Sequence, residues 1–404
     1  MMAEADATTT TDAAATTPAV VRLALVGCGI ISKHHLSAIA TLPQPRRVVV
    51  TAIVEPNPAV RADAVAKVHA CLGGRVPPQA FATLEDALAA DPGRALFDAV
   101  DIMVPSRGTL HEAVAVEALR GGRHVLLEKP VSVTVASGER IVAAQQKYAP
   151  RSVLMVAENS QYWHEVVVAK RMIDAGAIGD IVAVRTKFWE SGHPALNEWA
   201  ADGCYADDSA QCMGPEGYVF DGGLHFIRPL RMWLGKALRV CAVAGKTLQQ
   251  MRGPSLTNAL ITFDSGVTAV FEALLAPRAI SDQPFFVLQG TLGEIVIDDF
   301  DGGARMYTLE GSALKVTDLN EGVPRGDPRV GWCTGYVGEM AAFAAAILDG
   351  TPPEATAQEG VEDVRVMMAM MKAAASGQWE EVGSVEPETD MEQLVPLLYG
   401  DGVQ

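Results

Sequence analysis

The chain has no run of about 18 apolar residues, so no membrane-spanning helix is expected from its 404 residues. It is poor in basic residues: 32 Lys and Arg against 49 Asp and Glu give a formal net charge of −17. A nucleic-acid backbone is held by clustered Lys and Arg, and an anionic membrane surface attracts the same residues, so both partners are excluded. Cysteine is sparse and scattered. Cys28, Cys71, Cys204, Cys212, Cys241 and Cys333 form no CxxC pair. That argues against a zinc site or a disulfide framework, so no metal is expected, and it suits reduced thiols in the cytoplasm. The opening residues, MMAEADATTTTDAAATTPA, lack the basic and apolar regions of a secretory signal and read as a disordered arm over 1–19. Lys and Arg are absent from Glu380 to Gln404, and 383–404 reads as an acidic tail.

Short β-branched runs are plentiful in the first third. Val20–Gly27, Val48–Glu55, Asp98–Pro105 and His124–Pro130 read as strands. Helical spacing follows each, at Ile31–Leu42, Ala59–Ala70, Leu110–Arg120 and Val133–Tyr148. Strands alternating with helices of this length imply βαβ units and a parallel sheet, a first domain over 20–150. Beyond it, Val153–Asn159 reads as a strand and Trp163–Ala175 as a helix, and Ile181–Glu190 alternates apolar and polar residues. Residues 191–220 look irregular, and Asp221–Leu234 has the pattern of a helix. Strands at Arg239–Thr247, Leu256–Phe263, Val267–Leu275, Phe285–Gly290, Glu294–Ile297 and Arg305–Leu309 are joined by short turns. Helices near Gly338–Leu348 and Glu359–Ala375 close a second, α+β domain over 151–382 built on an antiparallel sheet.

Gly27–Cys28–Gly29–Ile30–Ile31–Ser32 follows a strand and opens a helix, the setting of a dinucleotide fingerprint. The first glycine permits the turn, and the second lets the backbone approach a pyrophosphate on the helix N-terminus. Gly27, Gly29, Ile30 and Ile31 are therefore cofactor-binding candidates. Glu55 ends the second strand, where a carboxylate accepts from ribose hydroxyls and repels a 2′-phosphate; NAD is favoured and NADP stays open. The alternative is an exposed strand-end carboxylate. Glu128–Lys129–Pro130 ends a strand at the sheet edge where ligands bind. A lysine there either has its pKa lowered by burial or donates to a substrate oxygen. Asp221 and His225 stand four apart and share a helix face. They suit proton transfer, with Asp221 orienting the ring or holding a substrate hydroxyl; a helix cap at Asp221 is the alternative.

The order GxGxxS, acidic strand end, EKP, DxGxH resembles the Gfo/Idh/MocA oxidoreductase family, with HVLLEKPVS, AENSQYW, LGEIVID and GEMAAFAAAILDG as further similar segments. The resemblance runs from about Val20 to Val382. It implies an N-terminal Rossmann domain and a C-terminal α/β domain on a large open, mostly antiparallel sheet. It also implies NAD(P)-dependent hydride transfer to or from a sugar, inositol or related polyol or carbonyl. Catalytic roles fall to Lys129, Asp221 and His225, with Glu128 near the nicotinamide and a homodimer or homotetramer formed through the sheet. Pro105 opens a loop, PSRGTLH, that is longer than the family's usual one, and it is the remaining cofactor candidate. Arg228 stands where the family commonly has Asp: either a cation for an acidic sugar or a surface helix residue. Trp163, His164, Trp189, His193 and Tyr205 are candidates to line a sugar pocket. Two other activities fit the motifs: NAD-dependent glycoside cleavage without net redox, and a non-catalytic regulator that binds dinucleotide.

Overall fold

The computed structural model describes residues 20–42, 47–73, 76–201, 203, 214–278, 285–298, 303–321 and 332–399. The arm over 1–19 and Tyr205 lie outside the described residues. Strands β1 (Val21–Val26), β2 (Val48–Val54), β3 (Gln79–Phe81), β4 (Ala99–Ile102), β5 (His124–Glu128) and β6 (Leu154–Ala157) form a sheet in the order β3-β2-β1-β4-β5-β6. Every pairing in it is parallel. Helices α1 (Ser32–Thr41), α2 (Pro58–Leu72), α3 (Leu84–Ala90), α4 (Leu110–Arg120) and α5 (Val135–Tyr148) connect the strands. Val21, Leu23 and Leu25 of β1 enter one core, and Ala24 and Val26 enter another. A strand buried on both faces needs an unbroken apolar run, which is why these strands were visible in sequence. The strand order reverses beside β1, and the crevice at that point opens at the carboxyl ends of β1 and β4. The sheet closes at β6, so the strand expected to begin the second domain belongs to the first sheet, past residue 150. β3 and α3, three and seven residues long, were too short to read from periodicity.

The second part opens with α6 (His164–Asp174) and β7 (Ile181–Ser191), then α7 (Glu198–Ala201) and α8 (Leu224–Leu234). The chain continues through β8 (Ala237–Gly245), β9 (Leu256–Phe263), β10 (Thr268–Ala276), β11 (Phe286–Gly290), β12 (Gly293–Ile297), β13 (Ala304–Glu310) and β14 (Ala313–Asp318). With β15 (Glu380–Glu381), these make a nine-stranded sheet in the order β14-β13-β12-β11-β7-β10-β9-β8-β15. Its pairings are antiparallel apart from β7 with β10. Period-two burial in β9 and β10 turns Ala259, Ile261, Phe271 and Ala273 inward. Helix α8 seats on that face through Phe226, whose ring stacks on Phe188 at 4.6 Å and on Phe286 at 5.2 Å.

Helix α9 (Trp332–Leu348) crosses back onto α1 and onto the turn Asn159–Tyr162. Helix α10 (Ala357–Ser376) packs against α5, α8 and β8. The supposed acidic tail is partly helix: α11 (Met391–Tyr399) packs on α10 and buries Met391 and Leu394, apolar residues that outweigh its charge. Arg228 is neither a surface residue nor a free cation. It is 4 % exposed, donating to Gln161 Oε1 at 2.8 Å and to Glu359 Oε2 at 2.6 Å. Arg231 donates to Glu359 Oε2 at 2.8 Å and to Asp363. This buried network fixes α8 to α10. Removing one member strands the opposite charge in the interior. Asp363→Ala is therefore expected to lower the unfolding free energy by about 3 kcal/mol in urea titrations. A loss below about 1 kcal/mol would show that the network does not anchor α8.

Candidate active site

Gly27 adopts φ +85, a left-handed conformation, and a Cβ there would stand 2.9 Å from the Met103 backbone. Glycine is required on both counts. Gly29 is exposed, and a Cβ there would meet nothing within 4 Å. The space beside it is open for a ligand's approach. Helix α1 begins directly after, with Ile31 at its N-cap and no side-chain cap. An uncapped N-terminus beside an open glycine turn suits a pyrophosphate. Ser32 Oγ donates to the Gly29 carbonyl at 2.7 Å, so the third motif position ties the turn together. Glu55 Oε2 accepts from Cys28 N–H at 3.0 Å and Oε1 from Asn57 N–H at 2.9 Å. Each oxygen keeps a second lone pair for a ribose hydroxyl. Pro105 is exposed just past β4, at the crevice. His111 fixes the far end of that loop, its ring nitrogens lying 2.9 Å from the Pro130 and Val104 carbonyls.

Beneath the turn lies a buried cluster that sequence spacing gave no means to assemble. His35 of α1 sets Nδ1 2.9 Å from Asp101 Oδ2 and Nε2 3.0 Å from Glu128 Oε1. Burial opposes charging of this ring, but Asp101 and Glu128 hold its pKa well above the usual histidine value. Glu128 spends its other oxygen on the Lys129 N–H, at 2.9 Å. The EKP glutamate thus links the strand that ends at Lys129 to the helix that opens at the glycine turn, both of its oxygens engaged within the protein. Glu339 of α9 completes the cluster, 3.9 Å from His35 Nε2, with burial and the neighbouring carboxylates pushing its pKa up.

Lys129 Nζ donates to the Asp221 carbonyl at 2.9 Å and to Asp221 Oδ1 at 3.1 Å. Burial opposes the ammonium, yet Asp221, Glu128 and Glu158 raise its pKa above the usual lysine value. Lys129 is therefore a charged donor, and the lowered-pKa alternative is set aside. Asp221 is not a helix cap. It lies in a π-helical turn, Val219–Gly223, that precedes α8. From this turn Asp221 is turned to Lys129. The turn itself is pressed onto the sheet: a Cβ on Gly222 would sit 1.9 Å from the Phe188 ring. His225 is instead oriented by Glu158, whose Oε1 lies 2.5 Å from its Nδ1. Glu158 is 2 % exposed. Burial acts to raise its pKa, but His225, the Ser160 N–H and Lys129 pull it down to about 2. Sequence reasoning missed Glu158. Its signal was the acidic residue in AENSQYW, one position past the end of β6.

Among the described residues, three of the expected sugar-contacting side chains have these surroundings. Trp163 is buried beside Phe226 and His225, with centroids at 5.8 and 6.2 Å. Trp189 stacks under Lys187 on β7, with Nζ 4.1 Å from the ring centroid. His193 Nδ1 accepts from the Ala195 N–H at 3.1 Å, a local turn contact.

Comparison with known proteins agrees with the two-part fold. The sequence profile of an oxidoreductase family, described as an NAD-binding Rossmann fold, fits residues 21–156. The profile of that family's C-terminal alpha/beta domain fits residues 170–382. D-apiose dehydrogenase of Paraburkholderia graminis is 24% identical over 401 residues, covering 96% of each chain. Inositol 2-dehydrogenase of Corynebacterium glutamicum is 32% identical over 164 residues, 41% of this chain and 44% of its own. Among solved structures, levoglucosan dehydrogenase in complex with NADH superposes with a TM-score of 0.74 at 21% identity, over 90% of this chain and 100% of its own. An Agrobacterium radiobacter oxidoreductase in complex with NAD+, L-tartaric acid and magnesium gives 0.74 at 18% identity, over 90% and 99%. The open space at Gly29 generates a prediction: Gly29→Ala leaves the melting temperature unchanged but weakens NAD binding about 10-fold, roughly 1.4 kcal/mol. Equal affinity by titration calorimetry would place the pyrophosphate elsewhere.

Proposed function

The chain belongs to the Gfo/Idh/MocA oxidoreductase family, and we propose that it is an NAD-dependent dehydrogenase of an uncharged sugar, inositol or related polyol. The observation that carries this reading is the meeting of Lys129, Asp221, His225 and Glu158 at the sheet edge next to the glycine turn. Bound NAD supplies the two-electron acceptor. Lys129 donates to the substrate oxygen and stabilises the negative charge that develops there. His225 takes the hydroxyl proton, and Asp221 holds the lysine head in place. Gly27, Gly29, Ile30, Ile31, Glu55 and Pro105 line the cofactor's seat, and Glu128 steadies that seat through His35. The preference for an uncharged substrate rests on charge. Lys129 is matched to Asp221 and Arg228 to Glu359, so neither is a spare cation for an acidic sugar. The curated relatives named for apiose and inositol act on uncharged polyhydroxy compounds, in keeping with this.

The outer face of the nine-stranded sheet supports a homodimer or homotetramer. Val182, Val243, Leu260 and Val270 are 38 to 63% exposed on it, and an apolar sheet face this open calls for a partner. No described helix is long and apolar enough to cross a membrane. A cytoplasmic site of action is part of this reading, resting on the scattered thiols.

The reading is tested by following NADH absorbance across neutral sugars, inositols and the corresponding aldonic and uronic acids. Turnover is expected with a neutral compound. Lys129→Met is expected to reduce kcat on the order of 10²- to 10³-fold, with NAD binding retained. An unchanged rate in that variant contradicts the assignment. Glycoside cleavage without NADH accumulation, or nucleotide binding with no turnover, would select the non-redox or the regulatory alternative.

A further inference from the structure

We propose that Glu158 is the positioning residue of this reaction, fixing His225 through Nδ1 so that Nε2 takes the substrate proton. The inference rests on the reading of Lys129 and His225 given above. Its origin is in the sheet register. β5 and β6 run parallel with Glu128 opposite Ala157, so the next residues, Lys129 and Glu158, leave the edge side by side. Helix α8 then brings His225 down onto this edge from the other part of the chain. Glu158 Oε1 accepts from His225 Nδ1 at 2.5 Å and from the Ser160 N–H at 3.1 Å. The acceptor is held in its ionised form, which makes the bond charge-assisted.

A purely structural tie is the competing explanation, and α8 does not need one. Arg228 and Arg231 already fix the helix to α10, and Phe226 anchors it in the aromatic core. What the Glu158 contact adds is the tautomer and direction of one ring. With Nδ1–H held by a carboxylate, the neutral imidazole has its basic lone pair on Nε2. When the substrate O–H bond breaks, its electron pair stays on oxygen and the proton moves to Nε2. The resulting imidazolium faces an ionised carboxylate, as in other oriented acid–base pairs. The groups facing Glu158 are His225 from α8, Lys129 beyond β5, Glu339 from α9 and Asp363 from α10. Lys129 and His225 favour its ionised form. Glu339 sits in a surrounding that disfavours its own charge, so it adds little competing anion. Asp363 is turned to the Arg231 side chain.

The test compares Glu158→Gln, Glu158→Asp and His225→Asn in the full chain. Glu158→Gln is expected to lower kcat on the order of 10²- to 10⁴-fold, with KM and NAD affinity little changed. Glu158→Asp keeps the charge and is expected to recover part of the lost rate. In 15N-histidine-labelled protein, a downfield Nδ1 proton is expected in the parent and in neither Glu158→Gln nor His225→Asn. A folded Glu158→Gln that keeps its rate, or that loses rate with the downfield proton unmoved, overturns the proposal. Full activity in His225→Asn would be a different failure: it would remove the parent reading, and Glu158's role with it.

Discussion

Glu158 is a carboxylate buried to 2 % exposure at the seam between the two sheets, and it is tolerable there because His225, Lys129 and the Ser160 N–H reach it from separate elements. Unpaired, a buried charge of this kind is costly by several kcal/mol. The parallel register of β5 and β6 supplies Lys129, and α8 supplies His225. Any packing that moved α8 off the sheet edge would strand the anion. The aromatic seat of Phe226 and the Arg228–Arg231–Glu359–Asp363 network are therefore conditions for the site as much as for the fold. The two glycines before α8 belong to the same constraint, since Gly222 must lie against the Phe188 ring for the turn to fit.

A second buried group, His35 with Asp101 and Glu128, sits on the opposite side of the EKP segment. It couples the helix that opens at the glycine turn to the strand that carries Lys129. The glycine turn and the Lys129 strand end are thus held to one another by side chains of α1, β4 and β5, and α9 packs over them with Glu339. His35 alone faces Asp101, Glu128 and Glu339, and Lys129 faces Asp221, so carboxylates surround the described cations of this region.

What was legible in the sequence was local. The βαβ strands stood out because burial on both faces demands continuous apolar runs, and Gly27–Gly29, Glu55, Lys129, Asp221 and His225 stood out because their motifs are contiguous. What was hidden depends on residues far apart in the chain. His35 meets Asp101 across 66 positions and Glu158 meets His225 across 67, and no periodicity relates them. The π-helical turn at Val219–Gly223 was hidden for a different reason: its cause is tertiary, the contact of Gly222 with Phe188, and a run of DGGLH reads as an ordinary helix start. Arg228 could not be assigned before α10 was in place, since its acceptors Glu354 and Glu359 lie more than 120 positions away. Helix α11 escaped because its charge was visible and its packing surface on α10 was not.

The central claim is that Lys129 and His225 act on one substrate oxygen as a unit. A double-mutant cycle on kcat with Lys129→Met, His225→Asn and the combined variant reads that unity directly. Groups that serve a single transition state lose their effect together, so the double variant is expected within about 10-fold of the slower single variant. Losses that multiply, each substitution taking its full toll in the absence of the other residue, would mean that the two side chains act independently and would contradict the account.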